Sequence, residues 1–161
     1  MKIAKRFRWE AAHRLPWHEV VCRNLHGHSY RMVVELEGEP DARGMVLDFK
    51  HLKQALSPLV EAWDHAILVA DDDAELMEVA RQTGWKHAVF PFDTTAENLS
   101  AYVAAYLCAQ AAALLRAHRV RLVRVRLEET ETCYAEAEQT VAPEARANGE
   151  AEALVRREAS A

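Results

Sequence analysis

The sequence has little that would direct it to a membrane or to nucleic acid. No apolar run approaches the roughly 20 residues needed to span a bilayer, and the opening MKIAKRFRWEAAH lacks the apolar core of a secretion signal. The formal charge of -5 at pH 7 gives no general attraction to polyanions. We therefore expect a cytoplasmic protein that binds neither membrane nor nucleic acid.

Cysteine is also scarce. Cys22, Cys108 and Cys133 form an odd, widely spaced set, which argues against a disulfide framework. Cys108 lies in an Ala/Leu-rich helical pattern, and Cys133 follows the last apolar strand. Only Cys22, in the stretch CRNLHGHSY, has the polar neighbours expected of a functional thiol.

The chain of 161 residues is long enough for one domain with a substantial core. We place this domain at residues 1–141. Residues 142–161 are rich in Ala, Glu and Arg, which predicts a tail that forms a loosely attached helix or a frayed end.

Alternation of apolar and polar residues predicts strands at 3–13 and 26–36, paired as a long antiparallel hairpin, and further strands at 120–129 and 132–138. A short strand should precede a helix that is capped by Asp48 and bent or interrupted at Pro58. A short helix and a short strand near 87–90 should follow. Another helix should begin at Thr94 or Thr95. This order indicates an α+β fold, an antiparallel sheet with two helices packed on one face.

Three histidines are predicted to meet on one face of this hairpin. His26 and His28 are two residues apart on a strand, so their rings project from the same side. His13 ends the preceding strand on the matching face. Three imidazoles suit a Zn²⁺ ion with a fourth position open for water or substrate. Cys22 is either a fourth ligand, which would close the site, or a base beside the metal, and its sequence context fits both.

Two acidic elements add chemistry to this picture. Asp64 and His65 follow a helix and form a pair that can relay a proton, although both could equally face solvent. Glu129 shares a strand face with Val125 and Leu127. There are two interpretations of a carboxylate at this position. Either the strand ends there and Glu129 is exposed to solvent, or the carboxylate is buried and binds two adjacent N–H donors, as in a guanine or pterin ring.

The order of six motifs resembles a known family, the 6-pyruvoyltetrahydropterin and 6-carboxytetrahydropterin synthases. These motifs are FRWEAAHRL, CRNLHGHSY, GMVLDFKHLK, WDHAIL, DTTAENL and RLEET, between about Phe7 and Ala135. The resemblance implies the tunnelling fold, in which subunits join as trimeric β-barrels that usually stack into hexamers. Active sites then lie between the subunits of this homo-oligomer.

The resemblance also implies residue roles. One Zn²⁺ per subunit would be held by His13, His26 and His28, and Cys22 would accept a proton with the help of Asp64 and His65. Glu129 would anchor the pterin ring, and its parity with Val125 favours it over Glu128. Thr94, Thr95 and Glu97 would line the pterin pocket.

The substrate implied is 7,8-dihydroneopterin triphosphate. Three residues separate Cys22 from His26, as in the carboxy-forming branch of queuosine biosynthesis, which releases triphosphate and acetaldehyde. A pyruvoyl-forming synthase, a zinc hydrolase and a pterin-binding protein without turnover are the alternatives. Val69, where the family usually has Asn, and an insertion at 71–90 are departures from the pattern. Arg14, Arg23 and Arg31 are candidates to meet the triphosphate.

Overall fold

The structure, a computed structural model, describes residues 1–143. Its strands are β1 (Lys2–His13), β2 (His26–Gly38), β3 (Ala66–Ala70), β4 (His87–Phe90), β5 (Val120–Glu128) and β6 (Tyr134–Thr140). Its helices are α1 (Phe49–Trp63), α2 (Ala74–Thr83), α3 (Ala96–Gln110) and α4 (Ala112–Ala117). Residues 144–161, which make up most of the predicted tail, lie outside the described residues. Within the described part, no helix is long and apolar enough to cross a bilayer.

The six strands form one sheet in the order β4-β3-β1-β2-β5-β6. The predicted hairpin is confirmed, since β1 and β2 pair antiparallel over their whole length. Strands β5 and β6 extend the sheet from β2, also antiparallel. The α+β fold is therefore as expected.

The prediction of a purely antiparallel sheet is wrong at one edge. β3 lies parallel to the end of β1, and β4 lies parallel to β3. The predicted strand near 87–90 is β4, but β3 was missed because all five of its residues are buried. A strand buried on both sides does not alternate, so its sequence has no period-two signal.

Helices α1 and α3 pack on one face of the sheet, which we call the inner face, over a core that includes Tyr30, Leu36, Val125 and Leu127. A second, smaller cluster joins Ile67 and Val69 of β3 to α2. Because Leu68 belongs to the main core, α2 covers the opposite or outer face. The predicted short helix before β4 is α2, but it lies on the outer face, so the prediction that the helices pack on one face is wrong for this inserted segment.

The helix caps lie where the sequence predicts them, but the segment before α1 and the helix at Pro58 do not follow the prediction. Asp48 caps α1 by accepting a hydrogen bond from the Lys50 amide (2.8 Å), and Thr95 caps α3. The expected interruption at Pro58 does not occur, since α1 continues through it to Trp63. The short strand expected before α1 is absent from the described residues, where Val46 is buried in a loop instead.

Candidate metal centre and proton-transfer groups

The three predicted histidines meet at one end of the β1–β2 hairpin. His13 lies directly opposite His26, and His28 lies opposite Ala11. Their ring centroids are 4.8 to 5.2 Å apart. One ligand atom of each residue lies within 4.8 Å of the others, so the cluster could hold one metal ion.

Hydrogen bonds fix two of the rings. The Nδ1 of His13 lies 2.8 Å from the carbonyl oxygen of Thr94, and the Nδ1 of His26 lies 2.8 Å from that of Asn24. Because a carbonyl oxygen only accepts, each Nδ1 carries the hydrogen and each Nε2 keeps its lone pair. Outer partners of this kind orient metal-binding histidines in proteins.

Burial favours the uncharged form of two of the three histidines. His13 is only 2% exposed, and desolvation, opposed by the Thr94 hydrogen bond, lowers its pKa to about 4. Desolvation and the neighbouring His26 also lower the pKa of His28. Neutral imidazole is the form that binds a metal. At neutral pH the buried His13 is therefore ready to bind a cation without first losing a proton.

Glu129 lies at the rim of the histidine cluster, one residue beyond β5. Its Oε1 is 3.8 Å from the Nε2 of His13. Desolvation and the nearby carboxylate of Glu97 raise the pKa of Glu129. The neighbouring Glu128 lies in β5 opposite Arg31 and lines a groove with Arg31 and Arg126 instead. A ligand with N–H donors would relieve the repulsion between Glu129 and Glu97.

The two threonines lie close by but differ in their contacts. Thr94 is buried, and its Oγ1 is 3.3 Å from the Nδ1 of His13, in addition to the carbonyl contact. The Oγ1 of Thr95 accepts a hydrogen bond from the Asn98 amide at 3.3 Å. Thr94 thus supports a histidine directly, while Thr95 begins the helix that carries Glu97.

Cys22 lies in a 3-10 turn, Val21–Arg23, in the loop between β1 and β2. Its carbonyl oxygen accepts a hydrogen bond from the Leu15 amide (2.8 Å), which closes the loop, and its side chain is half-buried. Among the described residues, the cluster that could hold a metal comprises the three histidines and does not include this thiol.

Asp64 and His65 form a close side-chain pair at the end of α1. The Oδ1 of Asp64 is 2.9 Å from the Nδ1 of His65 and also accepts a hydrogen bond from the Glu10 amide at 3.1 Å. This amide, together with the positive charges of His65 and Lys86, lowers the pKa of Asp64. The His65 backbone has a φ of 57°, a left-handed conformation that is uncommon outside glycine.

Among the described residues, no hydrogen bond or ion pair joins the Asp64–His65 pair to the histidine cluster. His65 lines a cavity of about 550 Å³ together with Glu10, Ser29, Ile67 and Lys86, and His28 of the cluster also lines it. By strand alternation Glu10, Ser29 and Ile67 point to the outer face. The side chain of His65 is 77% exposed, against 2% for His13. The chain therefore presents two separate groups, a buried histidine cluster and an exposed Asp-His pair.

Two of the three candidate arginines, Arg14 and Arg31, have acidic partners. Arg14 forms a two-pronged ion pair with Asp73, the cap of α2, at 2.7 and 2.6 Å, and also contacts Glu75. Arg31 contacts Glu131 at 3.1 Å. Arg14 consequently fastens the inserted helix to the end of β1, a role that its sequence position did not indicate.

Two further residues escaped the sequence reading. Lys86 donates hydrogen bonds of 2.6 Å to the carbonyl oxygens of Glu61 and Asp64, at the end of α1. Tyr30 lies under the cluster, with its ring 5.6 Å from that of His28. The role of Lys86 could not be predicted from the sequence, because its ammonium group bonds to the backbone carbonyl of Asp64, which is 22 residues away in the chain. Tyr30 lies two residues after His28, so the same alternation places it on the face of the histidines and could have predicted it as a residue of the site.

Comparison with known proteins agrees with this geometry. Residues 2–140 match the 6-pyruvoyl tetrahydropterin synthase family. The chain belongs to this family. It is 34% identical over 157 residues to the 6-carboxy-5,6,7,8-tetrahydropterin synthase of Aquifex aeolicus, covering 84% of this chain and 96% of the relative. It is 32% identical over 110 residues to the Haemophilus influenzae enzyme of that name, covering 63% and 78%.

Solved structures of this family share the fold. A variant of Plasmodium vivax 6-pyruvoyltetrahydropterin synthase, in which a catalytic glutamate is replaced by cysteine, aligns with a TM-score of 0.71 at 16% identity, over 87% of this chain and 98% of that one. The Caenorhabditis elegans enzyme aligns with a TM-score of 0.55 at 25% identity, over 87% and 94%.

Proposed function

We propose that the chain is a zinc-dependent carbon-carbon lyase of queuosine biosynthesis. It converts 7,8-dihydroneopterin triphosphate to 6-carboxy-5,6,7,8-tetrahydropterin and releases triphosphate and acetaldehyde. The observation that carries this proposal is the cluster of His13, His26 and His28 beside Glu129. The names of the relatives that are about one-third identical support the carboxy-forming product.

One Zn²⁺ per subunit would be held by His13, His26 and His28. The residues fit this ion because the lone pairs of His13 and His26 are left on Nε2 by the carbonyl contacts of Nδ1, and three nitrogen ligands suit a catalytic zinc. When bound, zinc would polarise the oxygen atoms of the substrate side chain and lower the pKa of its hydroxyl groups.

Cys22 is the proton acceptor in this proposal. Its loop joins His13 to His26, so the thiol is tethered to the two strands that hold the metal ligands. His65, oriented by its 2.9 Å contact with Asp64, accepts or returns protons during the reaction. This division leaves Cys22 outside the metal ligands, as the geometry of the histidine cluster favours.

Glu129 would hold the ring of the pterin. Its carboxylate can accept hydrogen bonds from the two adjacent N–H groups at the amidine edge of the ring. Glu97, Thr94 and Thr95 would line the same pocket. When Glu129 holds the pterin ring, the side chain of the pterin would point toward the nearby His13. The reacting carbon would then lie close to the metal.

The proposed enzyme is a homo-oligomer, formed by trimeric barrels that stack as a hexamer, with sites shared between subunits. Among the described residues, β1 pairs with β3 only at Ala11 and Ala12, which leaves the rest of that edge unpaired. The outer edge of β6 is likewise unpaired in the single chain. Unpaired edges are suited to strand addition by another copy. Such assembly would let the exposed Asp64–His65 pair serve a neighbouring site.

Incubation of the zinc-loaded protein with 7,8-dihydroneopterin triphosphate, followed by mass spectrometry, tests the proposal. The expected products are 6-carboxytetrahydropterin, acetaldehyde and triphosphate in equal amounts. A pyruvoyl product would move the enzyme to the other branch of its family. Binding of pterin without release of triphosphate would contradict an enzymatic role.

A further inference from the structure

Two oxygen atoms in the site are buried without hydrogen-bond partners. In the described part of the chain these are the Tyr30 hydroxyl and the Oε1 of Glu129. Tyr30 has no exposed surface. A buried polar group without a partner is destabilising, and such groups are few in native proteins. The pair therefore requires an explanation.

The two residues are neighbours across the sheet. Arg31 of β2 lies opposite Glu128 of β5, and continuing this antiparallel register by one residue places Tyr30 opposite Glu129. Both side chains belong to the inner face, next to the histidine cluster. Desolvation raises the pKa of Tyr30, and the negative charge of Glu129 raises it further, which agrees with this proximity.

The surroundings of Tyr30 are otherwise apolar or aromatic. Its ring stacks on Trp9 with centroids 5.3 Å apart and meets His28 edge-on at 5.6 Å. Phenylalanine would keep these contacts without burying a hydroxyl. The other hydroxyl groups of the site already have contacts, Thr94 with His13 and Thr95 with Asn98. Among the described residues, the buried donors without a partner are the Tyr30 hydroxyl and the indole Nε1 of Trp9, and Tyr30 is the one that lies between Trp9 and Glu129 across the sheet.

We propose that Tyr30 is a positioning residue for Glu129, whose Oε1 accepts a hydrogen bond from the Tyr30 hydroxyl when a ligand with N–H donors occupies the site. Rotation of the carboxylate toward the ligand completes this bond, which satisfies both buried oxygen atoms at once. The Tyr30 bond holds the plane of the carboxylate so that the ring is gripped in one orientation. This inference rests on the proposed function, since it takes the ligand to be a pterin.

The test compares the Tyr30→Phe variant with the wild type, both loaded with zinc, in binding of the probe pterin-6-carboxylate measured by calorimetry. We expect Tyr30→Phe to bind about tenfold more weakly, because a hydrogen bond to a charged acceptor is lost. Zinc content should stay at one per subunit. The melting temperature of the ligand-free protein should not fall, because the variant removes an unsatisfied hydroxyl. Tyr102→Phe, in the aromatic cluster of Trp63 and Phe90, is the matched control with unchanged affinity.

A second pair of variants shows whether Tyr30 acts through Glu129. In a Glu129→Gln background the acceptor is neutral, so the Tyr30→Phe change should weaken binding by only about threefold. A tenfold effect in both backgrounds would overturn the inference, as would wild-type affinity or a lower ligand-free melting temperature in Tyr30→Phe. If the wild type itself does not bind the pterin, the proposed function fails, and the Tyr30 inference fails with it.

Discussion

The histidine cluster and the Asp64–His65 pair differ in nearly every physical respect, although both are titratable groups near the same end of the sheet. His13 is buried, hydrogen-bonded to a backbone carbonyl and uncharged at neutral pH. The side chains of Asp64 and His65 are 44% and 77% exposed, on a backbone in a left-handed conformation. The three histidines meet within a single chain. The Asp64–His65 pair makes no hydrogen bond to them in the described residues.

The difference suits the two groups to different tasks, metal binding for the cluster and proton transfer for the pair. Metal binding needs a fixed geometry, which burial between paired strands supplies. Proton transfer needs groups that reach the substrate and titrate, which side chains on an exposed turn can supply. We therefore expect variants of the cluster to lose metal, and variants of the pair or of Cys22 to lose turnover while keeping metal.

Removal of a cluster histidine should have the largest effect. His26→Ala should lose bound zinc and all measurable turnover, because two imidazoles bind zinc far more weakly than three. Metal content by atomic emission and triphosphate release are the measurements. His87→Ala, an exposed histidine on β4, is the control. Full zinc content in His26→Ala would rule out the cluster as the metal site.

Cys22→Ala should lower kcat by about a thousandfold with full zinc content, since a proton acceptor contributes on the order of a hundred- to ten-thousandfold. Cys108→Ala, on α3, is the matched control and should retain activity. Loss of zinc together with turnover in Cys22→Ala would instead make this thiol a ligand.

His65→Ala should lower kcat by about a hundredfold without loss of zinc. Its sharpest test is co-expression with Cys22→Ala subunits. If the pair serves a neighbouring site, some sites in mixed oligomers combine an intact thiol with an intact histidine, which should restore about a quarter of wild-type activity. Mixed oligomers no more active than either parent would place both residues in one subunit's site.

Burial of His13 should also make folding of the zinc-free protein sensitive to pH. Its pKa is about 4 when folded, against 6.5 for a solvated histidine side chain, so the unfolded chain takes up a proton first as pH falls. Stability is then complete above pH 6.5 and declines toward pH 4, by up to about 3 kcal/mol. Urea unfolding at several pH values measures this, and His13→Gln should flatten the curve. An unchanged slope in that variant would contradict the assignment.

Lys86→Met should have the smallest effect. Its ammonium group bridges the carbonyl oxygens of Glu61 and Asp64, which stabilises the end of α1 and the turn that carries His65. We expect a kcat about fivefold lower, partly restored in Lys86→Arg, with a small decrease in melting temperature. Lys53→Met, exposed on α1, is the control. Wild-type kcat in Lys86→Met would show that the turn holds without this bridge.

The sequence predicted the cluster better than it predicted the pair, for a physical reason. His26 and His28 lie on a regular strand, where spacing determines the face, and His13 is opposite His26 in a hairpin without bulges. His65 lies in a turn with a positive φ. There the alternation rule fails, so the sequence could not predict where the side chains of the Asp-His pair lie.

The same reasoning explains the fold. The long half-buried strands are predictable because apolar and polar residues alternate along them. β3 does not alternate, since it is buried on both faces and α2 covers one of them. Its parallel pairing depends on the crossover through α1, which sequence patterns do not encode locally. Likewise, the hydrogen bonds from Lys86 and the ion pair between Arg14 and Asp73 depend on where the insertion folds back.

X-ray absorption at the zinc edge of the loaded protein tests the central claim most directly. We predict three imidazole nitrogen atoms at about 2.0 to 2.1 Å and one exchangeable oxygen ligand. The spectrum should be the same for Cys22→Ala. A sulfur atom at about 2.3 Å that disappears in Cys22→Ala would show a closed, structural site and contradict the role of Cys22 as a base.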